Sequence, residues 1–306
     1  MNKLLILGGT GFVGRHLSAR PGLAGWQLSV PTRQPGAVAR PGAGSPVELV
    51  QADVHDEATL TQLMESQDAV VNLVAILHGT AATFDQVHVE LPKKIARACA
   101  AAGVRRLVHV SALGASQDGP SMYQRSKARG EAVLQAAATA GSLDLTVLRP
   151  SVIFGADDQF LNVFAQLQRV FPVIPLAGAD TRFQPVWVDD VAEAVVRCLQ
   201  DDGTIGQVFE ACGPDVFALR ELVRLAGQWS GAGGGKGRPV IGLPMALARL
   251  QAWVMERLPG EPLMSRDNLD SMAVDNVASG KLPGLEALGI TPAALATLAP
   301  GYLRRR

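Results

Sequence analysis

The chain has 306 residues, 48% of them hydrophobic, with 28 basic residues balanced by 28 acidic ones. That apolar content supports a large buried core and excludes a disordered chain, while zero net charge removes the electrostatic case for nucleic acid or an anionic membrane surface as partner. Cys99, Cys198 and Cys212 lie far apart with no Cys-x-x-Cys pair, a usage that fits a reducing compartment and neither a disulfide framework nor a metal site.

Lys3 to Leu7 reads as a strand buried on both faces, running into the turn Gly8-Gly9-Thr10-Gly11-Phe12-Val13-Gly14 and a helix. A pyrophosphate needs backbone N–H groups aimed at it, no Cβ in the way, and the positive end of a helix dipole. Gly8, Thr10, Gly11, Phe12, Val13 and Gly14 therefore form a candidate dinucleotide site, with Gly14 letting the helix lie close on the strand. The helix is expected over Arg15 to Ala24 and a second strand over Trp26 to Thr32. The end of that strand selects the cofactor: an acid there binds the ribose hydroxyl of NAD, a basic residue the 2′-phosphate of NADP. No Asp or Glu precedes Glu48, whereas Arg15, Arg33 and Arg40 do. Arg33, at the strand end, can hold a phosphate in its guanidinium fork, so NADP(H) is expected in preference to NAD(H).

A third strand, Val47 to Asp53, ends in Asp53-Val54. Asp53 is placed either to accept from the adenine amino group or to cap the helix starting near Glu57. Ala69 to Val74 is a fourth strand whose end, Leu73-Val74-Ala75, is expected beneath the cofactor. Its apolar run, Ala69 to Leu77, is interrupted by Asn72 and too short to span a bilayer, and the N-terminal run is too short for a secretion signal, which together suggest a cytoplasmic protein. A helix follows over Phe84 to Ala102, then a fifth strand over Arg105 to Ser111. His78, His88 and His109 lack ligand spacing, so no metal is expected.

Tyr123 and Lys127 are four residues apart at the start of a helix, on one face. A free phenol has a pKa of about 10, and a neighbouring ammonium brings it toward working pH, which suits acid–base chemistry on a substrate oxygen. After a sixth strand, Leu143 to Leu148, Pro150 ends the pairing, and the loop carrying Pro150, Val152 and Ile153 is expected to border the nicotinamide. Asp157 to Phe171 reads as a helix, Asp189 or Asp190 as the cap of the helix Val191 to Leu199, and Val208 to Cys212 as a final strand. Beyond it come a helix over Leu219 to Trp229, a glycine tract, a short strand near Pro239 to Leu243, and an apolar helix over Met245 to Leu258. Leu247, Leu250, Trp253, Val254 and Leu258 on that helix are expected to face the core of a small lobe, and the last three arginines to form a solvated tail.

Strands alternating with helices imply an α/β fold: a doubly wound parallel Rossmann sheet with a smaller C-terminal α/β lobe. Residues 1–212 are expected to form the nucleotide domain, with 157–181 contributing to the substrate lobe, and 213–306 the small lobe. The set Gly8-Gly9-Thr10-Gly11-x-x-Gly14, Asp53, Tyr123-x-x-x-Lys127, Arg149-Pro150 and Val188-Asp189-Asp190-Val191 resembles the extended and atypical short-chain dehydrogenase/reductases of the NAD-dependent epimerase/dehydratase type. His109-Val110-Ser111-Ala112-Leu113-Gly114-Ala115, Arg125-Ser126-Lys127-Ala128-x-Gly130-Glu131, Ile153-Phe154-Gly155 with Asp158-Gln159-Phe160-Leu161-Asn162, Gln184-Pro185-Val186 and Pro283 to Ile290 narrow the resemblance. They are similar to the dinucleotide-binding accessory subunit of respiratory complex I and its bacterial relatives.

The resemblance implies that Lys127 also holds the nicotinamide ribose and that a Ser or Thr after the fifth strand polarises the substrate carbonyl. Leu113 stands where that hydroxyl is expected, leaving Ser111 or Ser116 as substitutes. Two functions follow as expectations. One is an NADP(H)-dependent oxidoreductase or epimerase using Tyr123, Lys127 and Ser111 on a small-molecule, hydrophobic or quinone-like ligand. The other is a non-turnover NADPH-binding subunit docked peripherally on a respiratory complex at the inner membrane.

Overall fold

The computed structural model describes residues 2–35, 47–257 and 264–304. Seven parallel strands form the central sheet: β1 (Lys3–Leu7), β2 (Gln27–Thr32), β3 (Val47–Gln51), β4 (Ala69–Asn72), β5 (Arg106–Val110), β6 (Asp144–Pro150) and, late in the chain, β11 (Val208–Ala211). Their spatial order is β3-β2-β1-β4-β5-β6-β11, reversing direction of growth at β1, the switch point at which open α/β sheets place a ligand crevice outside the C-terminal strand ends. Between β6 and β11 the chain adds β7 (Ile153–Phe154), β8 (Ile174–Leu176), β9 (Arg182–Phe183) and β10 (Val186–Trp187); after β11 come β12 (Phe217–Ala218) and β13 (Val240–Gly242). These make three two-stranded sheets, β7 with β10, β9 with β12, and β8 with β13.

The alternation of β-strand side chains sorts the apolar run of β1 into two cores. Leu4 and Ile6 join the layer under α1 (Phe12–Ser18) and α7 (Val188–Gln200). Leu5 and Leu7 join the opposite layer, with α2 (Glu57–Met64), α4 (Leu91–Ala102) and α5 (Met122–Thr139). The short helix α3 (Ala81–Asp85) leads through a π-helical turn, Gln86–Glu90, into α4, so the helix expected over Phe84 to Ala102 is three segments, with Pro92 in the first turn of the last. α6 (Leu161–Val170), α8 (Leu219–Trp229) and α11 (Leu295–Leu303) share a further core, and α9 (Met245–Met255) and α10 (Arg266–Ser271) a smaller one.

Several boundaries differ from the sequence expectation for identifiable reasons. α1 stops at Ser18, and Pro21 opens a 3-10 turn over Pro21–Leu23. β6 runs through Pro150 instead of ending before it: Pro150 is in register with Ala211, and its carbonyl accepts the Leu113 N–H at 2.8 Å. Trp187 occupies the cap of α7, so neither Asp189 nor Asp190 is the cap. Asp189 pairs with His16 at 2.7 Å and Asp190 accepts the Ala293 N–H at 2.8 Å. The apolar stripe of α9 is the largest reversal. Leu247, Leu250, Trp253 and Val254 are 41–58% exposed, and only Ala248 and Ala252 are buried there. Arg40, Leu258, Arg305 and Arg306 lie outside the described residues.

Gly130 is where α5 meets the π-helical turn. A methyl group there would collide with the His88 carbonyl oxygen. An exposed helical Gly→Ala change stabilises by about 1 kcal/mol, whereas here Gly130→Ala should cost about 3 kcal/mol or more through overpacking. Urea unfolding of the two proteins decides the sign; an Ala variant as stable as the parent would refute the close approach.

Candidate active site at the open end of the sheet

The glycine turn lies at the C-terminal end of β1. Gly8 has φ +81°, in the left-handed region that glycine adopts without strain, and a side chain on it would press on the Leu73 backbone at 3.1 Å. At Gly14 a Cβ would run into Gly9, so the missing side chain is what lets α1 pack on the turn. Gly11 is the N-cap of α1; the first turn carries no side-chain cap and no acidic residue. A Cβ on Gly11 would meet only the Gly8 oxygen, at 3.2 Å. The first-turn N–H groups of Phe12, Val13 and Gly14 thus face a site suited to an anion. The Phe12 ring itself turns away to pack edge-on to His16 (5.5 Å) and against Gly155. α1 is clamped from below by His16–Asp189 and by Arg20–Glu193 at 2.7 Å.

At the strand ends flanking this turn, Arg33 is exposed just after β2, and Asp53 is exposed just after β3. Asp53 accepts the His55 N–H (2.9 Å), while Asp56, not Asp53, caps α2 through the Thr59 N–H (3.0 Å). Of the early arginines, Arg15 is committed elsewhere: it donates to the Thr10 carbonyl at 3.1 Å and pairs with Asp157 at 3.6 Å. Val54 and Val74 are partly buried on one core and Leu73 and Ile153 on the other, with Val152 half-buried and Ala75 exposed beside them.

On the other side of the crevice, α5 begins with the cap Ser121, which accepts the Gln124 N–H at 3.1 Å. Tyr123 and Lys127 share a face one turn apart, as their spacing demands. Lys127 is 2% exposed, and its ammonium donates to the Val110 carbonyl at 3.1 Å, at the C-terminal end of β5. Burial pulls its pKa down to about 8, with the Glu131 carboxylate working against the shift. The Tyr123 ring is half-buried, edge-on to Phe84 (6.2 Å) and His88 (5.5 Å). Its phenol is pushed up to about 12 by burial. That is opposite to the lowering expected from Lys127: desolvation of the phenolate wins, and the phenol stays neutral at neutral pH.

Sequence reasoning missed the two histidines around this pair. Ser126 Oγ donates to the Tyr123 carbonyl (2.8 Å), so it accepts from His88 Nδ1 (2.8 Å), leaving Nε2 to accept the Ile76 N–H (3.1 Å). This fixes His88 as neutral imidazole, and burial followed by the Lys127 charge lowers its pKa to about 3. Asn72 Oδ1 accepts the Val74 N–H (3.1 Å), so its amide donates to His109 Nδ1 (3.0 Å). Burial likewise holds His109 well below the usual imidazole range. The available signal was position: Asn72 and His109 stand in register near the ends of adjacent strands.

The expected hydroxyl is absent from its place. Leu113 is buried, Ser116 is exposed and accepts the Asp118 N–H at 3.3 Å, and Ser111 is 5% exposed with its Oγ enclosed and unpaired. The site therefore offers one phenol and one ammonium, with Ser111 enclosed and a leucine at the position of the expected hydroxyl.

Fold and site together define a nucleotide-binding α/β protein of the short-chain dehydrogenase/reductase type. Residues 4–212 match the NAD dependent epimerase/dehydratase family, and the chain belongs to that family. It is similar to the mitochondrial NADH dehydrogenase (ubiquinone) 1 alpha subcomplex subunit 9 of Mus musculus, at 32% identity over 98% of this chain and 79% of the relative. A ceramide reductase of Caulobacter vibrioides is 30% identical over 62% of this chain and 59% of the relative. Among solved structures, a dTDP-glucose 4,6-dehydratase from Streptomyces venezuelae with NAD bound superposes with TM-score 0.76 at 20% identity, covering 99% of this chain and 96% of that one. This last likeness concerns the fold.

The Lys127 shift makes stability pH-dependent. Its folded pKa lies below the unfolded value near 10.4, so the unfolded chain binds the extra proton and stability rises with pH between about 8 and 10. Below pH 8 the buried charge costs about 3 kcal/mol. Lys127→Met should therefore raise stability at pH 7 by an amount of that order and abolish the rise across pH 8–10, as read by urea unfolding. A parent protein whose stability is flat over that window would contradict the buried ammonium.

Proposed function

We propose that the chain binds NADP(H) across the crevice and acts as a reductase-type oxidoreductase on an apolar carbonyl or hydroxyl compound. The observation that carries this reading is the placement of Tyr123 and Lys127 on the enclosed face of α5, with Lys127 anchored on the Val110 carbonyl at the same strand-end edge as the glycine turn. The residues present fit a dinucleotide: the uncapped, acid-free start of α1 suits the pyrophosphate, and the exposed Arg33 suits a 2′-phosphate. In this reading Gly8, Thr10, Gly11, Phe12, Val13 and Gly14 hold the phosphates. Asp53 and Val54 border the adenine, and Leu73, Val74, Ala75, Pro150, Val152 and Ile153 line the nicotinamide half. When bound, the nicotinamide supplies or accepts a hydride.

Tyr123 then delivers its phenolic proton to the substrate oxygen. A phenol that stays protonated at neutral pH suits this reductive direction. Lys127 supports the phenolate left behind, and Ser111 reaches the substrate oxygen only if its enclosed hydroxyl reorients. An apolar substrate is consistent with the ceramide reductase relative.

A second reading has its own support. Leu113 removes the usual hydroxyl, and α9 turns Met245, Leu247, Leu250, Trp253 and Val254 outward, a face suited to a partner. With the complex I subunit relatives, this supports a non-turnover NADPH-binding subunit docked at the periphery of a membrane respiratory complex. Among the described residues no helix is long and apolar enough to cross a membrane.

Release and exchange of bound nucleotide separates the readings. Fast exchange preferring NADPH, together with turnover abolished by Tyr123→Phe, supports the reductase. Stoichiometric NADPH that fails to exchange over hours, with co-migration on a membrane complex in native extracts, supports the subunit. In either case Arg33→Ser should weaken NADPH at least about tenfold and leave NADH unchanged; equal losses for both nucleotides would refute the role of Arg33.

A further inference from the structure

The start of α5 is saturated from two sources. Its own cap, Ser121, accepts the Gln124 N–H, while the Gln124 side-chain oxygen accepts the Ser121 N–H at 3.3 Å. The two remaining first-turn donors, Met122 and Tyr123, are taken by a residue far along the chain. Asp267 Oδ1 accepts the Met122 N–H at 2.6 Å, and Asp267 Oδ2 accepts the Tyr123 N–H at 3.0 Å. Asp267 is 7% exposed and sits in the first turn of α10, so one carboxylate stands between the N-terminal ends of two helices.

α10 is itself firmly set. Ser265 and Asn268 form a reciprocal cap, with the Asn268 N–H reaching Ser265 Oγ (3.2 Å) and the Ser265 N–H reaching Asn268 Oδ1 (3.0 Å). Leu269 is buried among Ala177, Ala248 and Ala252, and Thr181 Oγ1 donates to the Met272 carbonyl at 2.7 Å. The bidentate grip on the Tyr123 backbone thus comes from a segment anchored independently of α5.

We propose that Asp267 is a positioning residue for Tyr123: by gripping the Met122 and Tyr123 amides it sets where the phenol stands over the crevice, so the C-terminal part of the chain registers the reactive group. The inference rests on the reading of Tyr123 as the acid, but its geometry is independent of any substrate. A self-sufficient helix cap would need only Ser121 and Gln124. The extra carboxylate fixes the first helical residue against a second element, while Phe84 and His88 brace the ring from the other side. Among the described residues, the titratable groups in contact with Tyr123 are Asp267 from α10 and His88 from the π-helical turn, with Lys127 one turn further along α5.

The test uses the two tyrosines, Tyr123 and Tyr302. The full chain is labelled with 3-fluorotyrosine, whose phenol ionises at milder pH than tyrosine, and Tyr302→Phe assigns the 19F resonance of Tyr123. Asp267→Ala should move that resonance and shift its titration downward by more than one pH unit, because the ring is released toward water. Asp267→Asn, which keeps one acceptor, should give a smaller shift and guards against failure of the Ala variant to fold. Asp267→Glu, which keeps the bidentate carboxylate, should restore part of the parental titration. A folded Asp267→Ala or Asp267→Asn protein with lower melting temperature but parental Tyr123 shift and titration would overturn the proposal, since Asp267 would then be a cap only. If turnover survives Tyr123→Phe, the acid–base reading fails, while the resonance still reports on the grip.

Discussion

Lys127 places an ammonium at 2% exposure beneath the open edge of a parallel sheet, and the surroundings are arranged to hold it there. Burying a lone cation costs several kcal/mol unless oxygen acceptors and counter-charge replace water. The Val110 carbonyl accepts a hydrogen bond from it, and Glu131, one turn further along α5, supplies the negative charge. Glu131 is in turn gripped by Arg149 of β6 at 3.0 Å, so the charge balance is strung from β5 through α5 to β6. Burial, reinforced by the same positive charge, disfavours protonation of His88 and His109, and as neutral rings both can accept hydrogen bonds from their neighbours. His88 accepts the Ile76 N–H from the loop after β4 and donates to Ser126 of the helix that carries Tyr123, while His109 accepts from Asn72 and joins β5 to β4.

Close packing makes this arrangement rigid. Gly130 brings α5 against the His88 carbonyl, and Gly14 brings α1 against the glycine turn. In both places a hydrogen stands where any side chain would force the helix away from the backbone it packs on. The two helices that carry the glycine turn and the Tyr123–Lys127 pair are therefore located by an absence of side-chain volume, and the polar groups around them by complementary donors and acceptors.

Segments from the last third of the chain close the far side of the crevice. Asn276 accepts from Ser151 Oγ (2.6 Å) and donates to the Leu113 carbonyl (3.3 Å), fixing the two loops that follow β5 and β6. Tyr302 donates to Asp158 at 3.1 Å; Asp158 also accepts the Gly155, Phe160 and Asn162 amides, so the Ile153-Phe154-Gly155 segment is held by the C-terminal helix. Leu285, Leu288 and Ile290 enter the core against α7, beside β11. The wall of the crevice is long-range in origin, which is why a strand-by-strand view of the chain leaves it undefined.

The amino-acid sequence by itself determined the parallel sheet, the glycine turn and the shared helix face of Tyr123 and Lys127. Each is a local pattern: apolar runs of strand length, glycines at fixed spacing before a helix, and a four-residue interval. Tertiary structure decided the rest. It made Asp189 a partner of His16 and Asp56 the cap of α2, because a carboxylate near a helix start can serve either its own backbone or a neighbouring element. It turned the apolar stripe of α9 outward, because the face of α9 that packs against Ala177 and Leu269 is the one carrying Ala248 and Ala252. And it raised the Tyr123 phenol instead of lowering it, because spacing brings a lysine near, while burial by distant residues sets whether a charge is tolerated.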